Sequence, residues 1–328
     1  MASWLFGWGK GKQKQKAYLG DGDSGFHHVS EPSQDHGSFA LNEARERPEE
    51  ADRGASRIVR IPSRQYQSLP QFARGLKGFD LSSDSKDCQG RRCIDIETAI
   101  ATDENDTTTF RPVIQAGNSS ETTHLIYDAE MVWMEAKQGA RDCMIFTKTF
   151  DLTRGEKQTK VYFPHELTTE VEVEHWISGF RFSTEDEEEE PHECDCWETH
   201  LNPKGFMAHA SGSKTLERLD VTWIVYKKGK KKVASGTFGT QDIEDREEGE
   251  AENTGRIEFP QGQFFSTPTV LVGISQFETA GGRDLRLHVH AGGVSNTGFT
   301  WRLDTWGEDA RGTLQSAEGT WIALGFGQ

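Results

Sequence analysis

RDLRLHVHAGGVSNTGFTWRLDTW, residues 283–306, is the stretch that decides the fold class. Apolar and polar side chains alternate from Asp284 to His290. This alternation indicates a strand with one buried face, because successive side chains of a strand point to opposite sides of the sheet. Residues 292–298 then supply glycines and an asparagine, which favour a turn, and strand-like sequence resumes from Phe299 to Thr305. The stretch therefore predicts two strands joined by a turn.

The same landmarks recur twice upstream of this region. A short motif that ends in proline occurs three times, as RIVRIP at 57–62, KVYFP at 160–164 and RIEFP at 256–260. A phenylalanine follows each motif at a similar distance, and a tryptophan lies in each closing apolar run: Phe79, Phe180 and Phe277, then Trp133, Trp223 and Trp321. Because the landmarks keep their order each time, the sequence predicts three tandem units.

Short strand-like runs separated by turn residues fill each unit, which predicts six-stranded antiparallel β-sandwiches and an all-β fold class. We place the units at residues 36–139, 140–229 and 230–328. The links between them are short, which favours units packed side by side over units strung along a linker. Residues 1–35 are rich in polar residues and glycine and lack this alternation. We expect them to form a disordered tail.

Composition narrows the classes of partner and compartment. The formal net charge is -16, with 53 acidic against 37 basic residues, which disfavours nucleic acid as a partner because such partners require a basic surface. No apolar run approaches the length of a membrane span, and the start MASWLFGWGKGK lacks the long apolar core of a signal peptide. The 5 cysteines show no disulfide framework. We expect a cytoplasmic protein, or one secreted without a signal peptide.

The third unit resembles the H-type lectin family, the group of the snail agglutinin and the C-terminal part of discoidins. The residues that carry the resemblance are Phe259 with Pro268–Val270, ISQF at 274–277, DLR at 284–286, VSNTGF at 294–299, DTW at 304–306 and TWIAL at 320–324. The resemblance implies a six-stranded antiparallel β-sandwich and assembly as trimers. Three units in one chain would then form an intrachain pseudo-trimer, and any further oligomeric state is left open.

The resemblance also implies a function, namely binding of glycans of the galactose or N-acetylgalactosamine type, with a role in cell adhesion and no cofactor. Family members use an acidic residue and a glycine from the loop after the first strand, then an arginine, a tryptophan and a histidine after the tryptophan. These roles fall on Glu250 and Gly249 for the loop, and on Arg286 and Trp306. The histidine is replaced by Gly307, a departure that bears on affinity and sugar preference.

These residue types suit sugar binding on chemical grounds as well. A tryptophan ring covers the C–H face of a sugar, a carboxylate accepts hydrogen bonds from neighbouring hydroxyls, and an arginine donates a fixed fork of hydrogen bonds. The alternative is a structural role, with Trp306 as a core aromatic and Arg286 on the polar face of an alternating strand.

The first two units lack this pair of residues. Counting back from Phe110 as from Phe299 places the counterpart of Arg286 near Glu97 and the counterpart of Trp306 near Gly117, to within a residue or two. In the second unit the same count gives Glu193 and Ser213. We therefore expect sugar binding mainly in the third unit.

Other kinds of site find little support. We find no nucleophile elbow, phosphate-binding glycine loop or suitably spaced carboxylate pair, so we expect no enzyme activity. His192, Cys194 and Cys196 alternate in a way that could bind zinc, but buried cysteines are common, and we expect no metal site. The alternative to a lectin is a structural or protein-interaction module in which the sugar sites have decayed.

Overall fold

The structure is a computed structural model in which most described residues lie in β-strands. It describes residues 36–40, 54–56, 59–60, 70–82, 91–103, 106–116, 126–136, 143–184, 190–244, 246, 249–281, 284–307 and 313–325. Within these residues the helical structure is a single 3₁₀ turn at Thr240–Asp242, and no helix is long and apolar enough to cross a membrane. The all-β prediction is confirmed, whereas the predicted tail at 1–35 lies outside the described residues.

The strands fall into three successive groups along the chain. The first group is β1 (His36–Ala40), β2 (Gly54–Ser56), β3 (Val59–Arg60), β4 (Gln71–Leu81), β5 (Arg92–Asp103), β6 (Asp106–Gln115) and β7 (Ile126–Ala136). The second is β8 (Cys143–Asp151), β9 (Lys157–Tyr162), β10 (Val171–Thr184), β11 (His192–Asn202), β12 (Gly205–Gly212) and β13 (Leu216–Lys227). The third is β14 (Val233–Gly239), β15 (Glu252–Glu258), β16 (Thr269–Thr279), β17 (Leu285–Gly292), β18 (Gly298–Asp304) and β19 (Leu314–Leu324).

Three antiparallel sheets form, and each combines strands from two groups. Sheet 1 has the order β1-β7-β4-β17-β18-β15, and sheet 2 has the order β8-β13-β10-β5-β6-β2, with β3 also pairing with β6. Sheet 3 has the order β14-β19-β16-β11-β12-β9. The groups therefore exchange strands cyclically, and they meet at three junctions inside the sheets: β4 with β17, β10 with β5, and β16 with β11.

The strands β4, β10 and β16 share an irregularity as well as a position. Each pairs with the last strand of its own group, and each pairing shifts register once in mid-strand: between Leu76 and Gly78, between Ile177 and Gly179, and between Ile274 and Gln276. A bulge of this kind bends a strand and increases its twist. The three long strands are therefore bent at corresponding places, just before the phenylalanines that the sequence repeats.

Those phenylalanines meet at the centre of the molecule. The ring of Phe79 lies 5.3 Å from that of Phe180 and 5.6 Å from that of Phe277, and the rings of Phe180 and Phe277 are 5.3 Å apart. The three side chains are at most 1% exposed. Because one ring comes from each group, this cluster joins all three sheets in a common core.

Neighbouring sheets also face each other through aromatic pairs. Phe110 of β6 lies 4.9 Å from Trp133 of β7, Phe206 of β12 lies 5.9 Å from Trp223 of β13, and Phe299 of β18 lies 5.4 Å from Trp321 of β19, measured between ring centroids. In each pair the two strands belong to one group but to different sheets. The strands of each group thus form two layers with a buried interior, as a β-sandwich requires.

One position near the centre departs from threefold equivalence. Trp176 lies four residues before Phe180, and the corresponding residues of β4 and β16 are Gly75 and Gly273. A Cβ on Gly75 would lie 2.5 Å from the Cβ of Trp176, and a Cβ on Gly273 would lie 2.6 Å from its Cδ1. The indole nitrogen of Trp176 donates to the carbonyl oxygen of Thr320 at 3.1 Å. One large side chain therefore occupies the space left by two glycines.

The central cluster generates a stability prediction. Replacing Phe180 with Ala removes a fully buried ring that contacts both other rings, and we expect the free energy of unfolding to fall by about 3–5 kcal/mol. Chemical denaturation followed by tryptophan fluorescence measures this change.

The control is Phe265→Ala, because Phe265 is 88% exposed and its loss should change stability by no more than about 0.5 kcal/mol. Equal effects of the two substitutions would contradict a shared core at Phe180.

Candidate functional site

The outer face of sheet 1 encloses a polar cavity of about 440 Å³. All six strands of the sheet contribute to its lining. The first group supplies Gly78, Asp128 and Glu130 among others, and the third group supplies Glu252, His288, Arg302, Asp304, Thr305 and Trp306. The cavity therefore crosses the junction between β4 and β17 and is lined by residues of the first and third groups.

His288 and Glu130 form the floor of the cavity at this junction. A Cβ on Gly78 would lie 2.4 Å from Cδ2 of His288, so the imidazole rests against bare backbone. Nε2 of His288 donates to Oε2 of Glu130 at 3.0 Å, and Nζ of Lys77 lies 2.6 Å from Oε1 of the same carboxylate. Burial raises the pKa of Glu130, but the hydrogen bond from His288 and the charge of Lys77 outweigh burial and lower the pKa to about 2.

On the wall formed by β15 and β18, the negative charges are less evenly balanced by positive ones. Nε of Arg302 lies 3.2 Å from Oδ2 of Asp304, and its Nη2 lies 3.7 Å from Oε2 of Glu252. Burial raises the pKa of Asp304 and Glu252 raises it further, although Arg302 acts in the opposite direction. Oδ1 of Asp304 and Oγ1 of Thr305 are both buried, and neither has a hydrogen-bond partner among the described residues. The wall thus contains polar atoms that another molecule could satisfy.

Trp306 lines the cavity, whereas Arg286 is not among the described residues that line it and contacts the backbone of Trp306 instead. Trp306 is 40% exposed, so its interpretation as a core aromatic is wrong. Nη1 of Arg286 donates to the carbonyl oxygen of Trp306 at 3.4 Å. The remaining donors of Arg286 are held by carboxylates, with Nε 3.0 Å from Oδ1 of Asp80 and Nη2 2.6 Å from Oδ2 of Asp284. The guanidinium therefore fixes the backbone that carries the indole ring.

Gly307 explains why the family's histidine is absent here. Its φ of 112° lies in the region that favours glycine, and a Cβ at this position would lie 2.4 Å from Nη1 of Arg286. A histidine could not occupy residue 307 unless both the backbone and the arginine moved. The substitution and the position of Arg286 are therefore coupled.

The two loop candidates are arranged differently from Arg286 and Trp306. Gly249 is buried in a turn with a φ of 78°, which accounts for the glycine, and Glu250 is exposed. The carbonyl oxygen of Glu250 accepts a hydrogen bond from Nδ2 of Asn253 at 3.0 Å. The next residue, Ala251, accepts from the amide of Thr305 at 2.9 Å, so the loop ends beside the cavity. Neither Glu250 nor Gly249 is among the described residues that line it.

Several lining residues were missed by the sequence analysis. Its alternating pattern had placed His288 on the polar face of a strand, but nothing in the sequence pairs β17 with β4. Glu130, Asp128 and Gly78 come from a part of the chain far from His288, and only the strand order brings them together.

Comparison with known proteins finds that the C-terminal region of the chain is similar to one family. The sequence model of the H-type lectin domain matches residues 254–324. The matched segment runs from within β15 to the end of β19 and contains Arg286 and Trp306. Since this family binds carbohydrates, the match supports carbohydrate binding in general. No curated protein matches the chain.

The ladder registers identify the counterparts of Arg286 in the other two sheets. Arg286 pairs with Asp80, next to Phe79; Asp95 pairs with Arg181, next to Phe180; and Glu193 pairs with Glu278, next to Phe277. Glu193 is thus confirmed as the counterpart in β11, whereas the choice of Glu97 is wrong by two residues and Asp95 holds that place. The counterpart of Trp306 near β12 is Ser213, while Gly117 lies outside the described residues.

Each junction has its own electrostatic character. At sheet 2, burial raises the pKa of Asp95 to about 6, even though Nη2 of Arg218 lies 2.8 Å and Nη1 of Arg181 lies 3.9 Å from its carboxylate. At sheet 3, burial raises the pKa of Glu193, and the carboxylates of Glu278 and Asp195 raise it further. The described residues thus place a cavity at one junction, ion pairs at the second and like charges at the third.

The residues considered for zinc lie in a different environment. His192, Cys194 and Cys196 are buried on one face of β11, and His192 packs 4.7 Å from the ring of Phe182. Burial raises the pKa of both thiols, which disfavours the thiolate that binds metal. Across the described chain, no group of three or more potential ligands is arranged to hold a metal ion.

Glu130 generates a pH prediction. Its pKa falls from 4.5 to about 2 on folding, so its contribution to stability is present above about pH 4.5 and is lost as the pH falls toward 2. Replacing Glu130 with Gln should lower the free energy of unfolding at pH 7 by about 1–3 kcal/mol and should flatten its decline below pH 4.5. Urea denaturation at a series of pH values measures both effects.

The control for Glu130→Gln is Glu258→Gln, because Glu258 is exposed at the end of β15. Parallel pH profiles for wild type and Glu130→Gln would contradict the ion-pair interpretation.

The like charges of sheet 3 give the opposite prediction. An acid whose pKa is raised on folding destabilises the folded state at neutral pH, and this penalty disappears as the pH falls below its ordinary value of 4.5. Replacing Glu278 with Gln should therefore raise the urea midpoint at pH 7.5, with a smaller gain at pH 4. A gain that is absent at pH 7.5, or no larger than that of Glu258→Gln, would refute repulsion between Glu193 and Glu278.

Proposed function

We propose that this protein is a non-enzymatic lectin that holds a sugar of the galactose or N-acetylgalactosamine type in the cavity of sheet 1. One observation carries the proposal: a half-exposed tryptophan, Trp306, closes a cavity rich in carboxylates within the segment that matches the H-type lectin domain. Glycans are the partners that this chemistry favours. Arg286, Glu250 and Gly249 stay in the proposal as residues that position or border the sugar.

The cavity offers the two kinds of contact that a pyranose requires. The indole of Trp306 presents a flat apolar surface that suits the C–H face of a sugar. Glu252 and Asp304 present carboxylate oxygens that accept hydrogen bonds from hydroxyls, and Arg302 presents N–H donors. A cavity of about 440 Å³ falls within the usual range of small-ligand pockets.

The cyclic strand exchange supports a pseudo-trimer of three tandem repeats in one chain. We propose the repeats at residues 36–139, 140–229 and 230–328, each giving three strands to one sheet and the rest to another. On this arrangement the proposed site belongs to two repeats, because Asp128 and Glu130 come from the first and Trp306 comes from the third. The expectation that the third repeat acts mainly on its own is therefore replaced by a shared site.

We propose one sugar site for each chain. The counterparts of Arg286 are the acids Asp95 and Glu193, and the counterpart of Trp306 in the second group is Ser213. Ser213 offers no apolar surface, and its hydroxyl lies 3.0 Å from that of Thr215. The junction of sheet 3 thus lacks the stacking platform on which the proposal depends.

The function is tested by replacing Trp306 with Ala, which removes the stacking surface. We expect affinity for galactose and N-acetylgalactosamine to fall about tenfold or more, because an aromatic contact and its buried area are lost together. Arg286→Ala should also weaken binding, since the backbone at Trp306 loses its hydrogen bond and two carboxylates lose their partner. Isothermal titration calorimetry measures the affinities.

Phe265→Ala is the matched control, because it removes another exposed aromatic ring outside the cavity. Circular dichroism must show that all three variants are folded. Sugar binding that survives both Trp306→Ala and Arg286→Ala would refute this site. If folded wild-type protein binds neither sugar, the protein-interaction module becomes the better explanation, with Gly307 as the first residue to test.

A further inference from the structure

We infer that the cavity of sheet 1 selects sugars that carry a free amino group, such as galactosamine, over neutral sugars and over sugars that carry a carboxylate or sulfate. This inference rests on the proposed function, since it names the class of sugar that the same cavity prefers. The resemblance and the family match say nothing about the charge of the ligand. The charges and unpaired atoms of the cavity itself carry the argument.

Carboxylates outnumber cationic groups around the cavity. Among the described residues, four acidic side chains line it, namely Asp128, Glu130, Glu252 and Asp304, against one guanidinium, that of Arg302, and one imidazole, that of His288. Lys77 adds a positive charge, but its ammonium lies 2.6 Å from Glu130 and is already engaged there. A protonated amine entering the cavity would therefore meet net negative charge, and an anionic sugar would be repelled.

The negative charge is concentrated on the wall next to Trp306. On the floor, the carboxylate of Glu130 is already engaged by Lys77 and His288. On the wall, one guanidinium serves both Asp304 and Glu252, at 3.2 Å and 3.7 Å. The side chain of Glu252 is 79% exposed and only loosely held by that contact. An ammonium bound here would supply a second positive charge for the two carboxylates that Arg302 alone serves.

Two buried oxygens on the same wall indicate where such a ligand would bind. Oδ1 of Asp304 and Oγ1 of Thr305 have no hydrogen-bond partner among the described residues, and Thr305 is only 4% exposed. Both residues line the cavity. A carboxylate oxygen only accepts hydrogen bonds, and an ammonium only donates them, so the two match in polarity as well as in charge. An acetylated amine has one N–H and no charge, and it satisfies this wall less well.

Alternative placements of an amine are less favourable. Asp80 and Asp284 are not among the described residues that line the cavity, and both contact the guanidinium of Arg286, which repels other cations. At sheet 3 the carboxylates of Glu193 and Glu278 oppose each other, but the tryptophan counterpart there is Ser213. The wall of Asp304, Thr305 and Glu252 therefore combines negative charge with an adjacent aromatic surface.

The test compares four sugars on the folded full-length chain: galactosamine, galactose, N-acetylgalactosamine and galacturonic acid. Calorimetric titrations at about pH 6, where the amine of galactosamine is protonated, should show galactosamine binding about fivefold more tightly than galactose, the effect of one unit charge a few ångströms away in a water-like dielectric. Galacturonic acid should bind most weakly. The preference should shrink at 1 M salt, because the Debye length falls to about 3 Å.

Glu252→Gln is the informative variant, since it removes one wall carboxylate without changing the size of the side chain. It should reduce the ratio of galactosamine affinity to galactose affinity at least twofold, because the lost carboxylate attracts only the charged sugar. Glu258→Gln, on the same strand but outside the described lining, is the matched control and should leave the preference intact.

The possible outcomes separate this inference from the proposed function. If galactose and galactosamine bind equally, or galacturonic acid binds best, the charge preference is overturned while the lectin function stands. If Glu252→Gln and Glu258→Gln lower the preference equally, general charge rather than this wall is responsible, and the inference is again overturned. If none of the four sugars binds, the proposed function fails and the inference fails with it.

Discussion

The contact among Phe79, Phe180 and Phe277 is the constraint on which the other features of this fold depend. For three rings to meet at 5.3–5.6 Å, the strands β4, β10 and β16 must all reach the centre. Each of these strands then has one side paired within its own group and the other side exposed to a neighbouring group. An unpaired strand edge is costly to leave open, so each edge accepts a strand of another group. The cyclic strand exchange and the site at one of its junctions both follow from the central packing.

Joining the three groups in one chain permits packing that three identical chains could not adopt. Trp176 fills the space beside Gly75 and Gly273, where a Cβ on either glycine would lie within about 2.6 Å of its side chain. Three tryptophans at this level would collide, and three glycines would leave a cavity whose cost grows with its volume. A single tryptophan supported by two glycines resolves this conflict, because each position can be occupied by a different residue. The departure from threefold symmetry is thus a packing solution.

The sequence predicts much of this fold because apolar landmarks are local. The alternation at 284–290 and the repeated phenylalanines and tryptophans lie at strand positions that the structure confirms as buried. The site is harder to predict from the sequence, because Glu130 and His288 approach each other only through the pairing of β4 with β17. Counting along the sequence failed at Glu97 for a local reason. The ladder between β5 and β6 shifts register beside Thr102, so the distance from Phe110 back to the aligned position is longer than in β17 and β18.

The three junctions differ in the charges of the residues that pair there. The three pairs that follow the central rings are Asp80 with Arg286, Arg181 with Asp95, and Glu278 with Glu193. The first two pairs combine opposite charges, and the third combines two acids at an energetic cost that its partial exposure to water reduces. A homotrimer would have to repeat the same pair three times, so a change that improved the site would alter the whole assembly. Here the residues around Trp306 can change while Asp95 keeps its contacts with Arg218 and Arg181 in a different sheet. The three junctions can therefore carry different residue pairs for the same reason that Trp176 can face two glycines: the three groups belong to one chain and need not share a sequence.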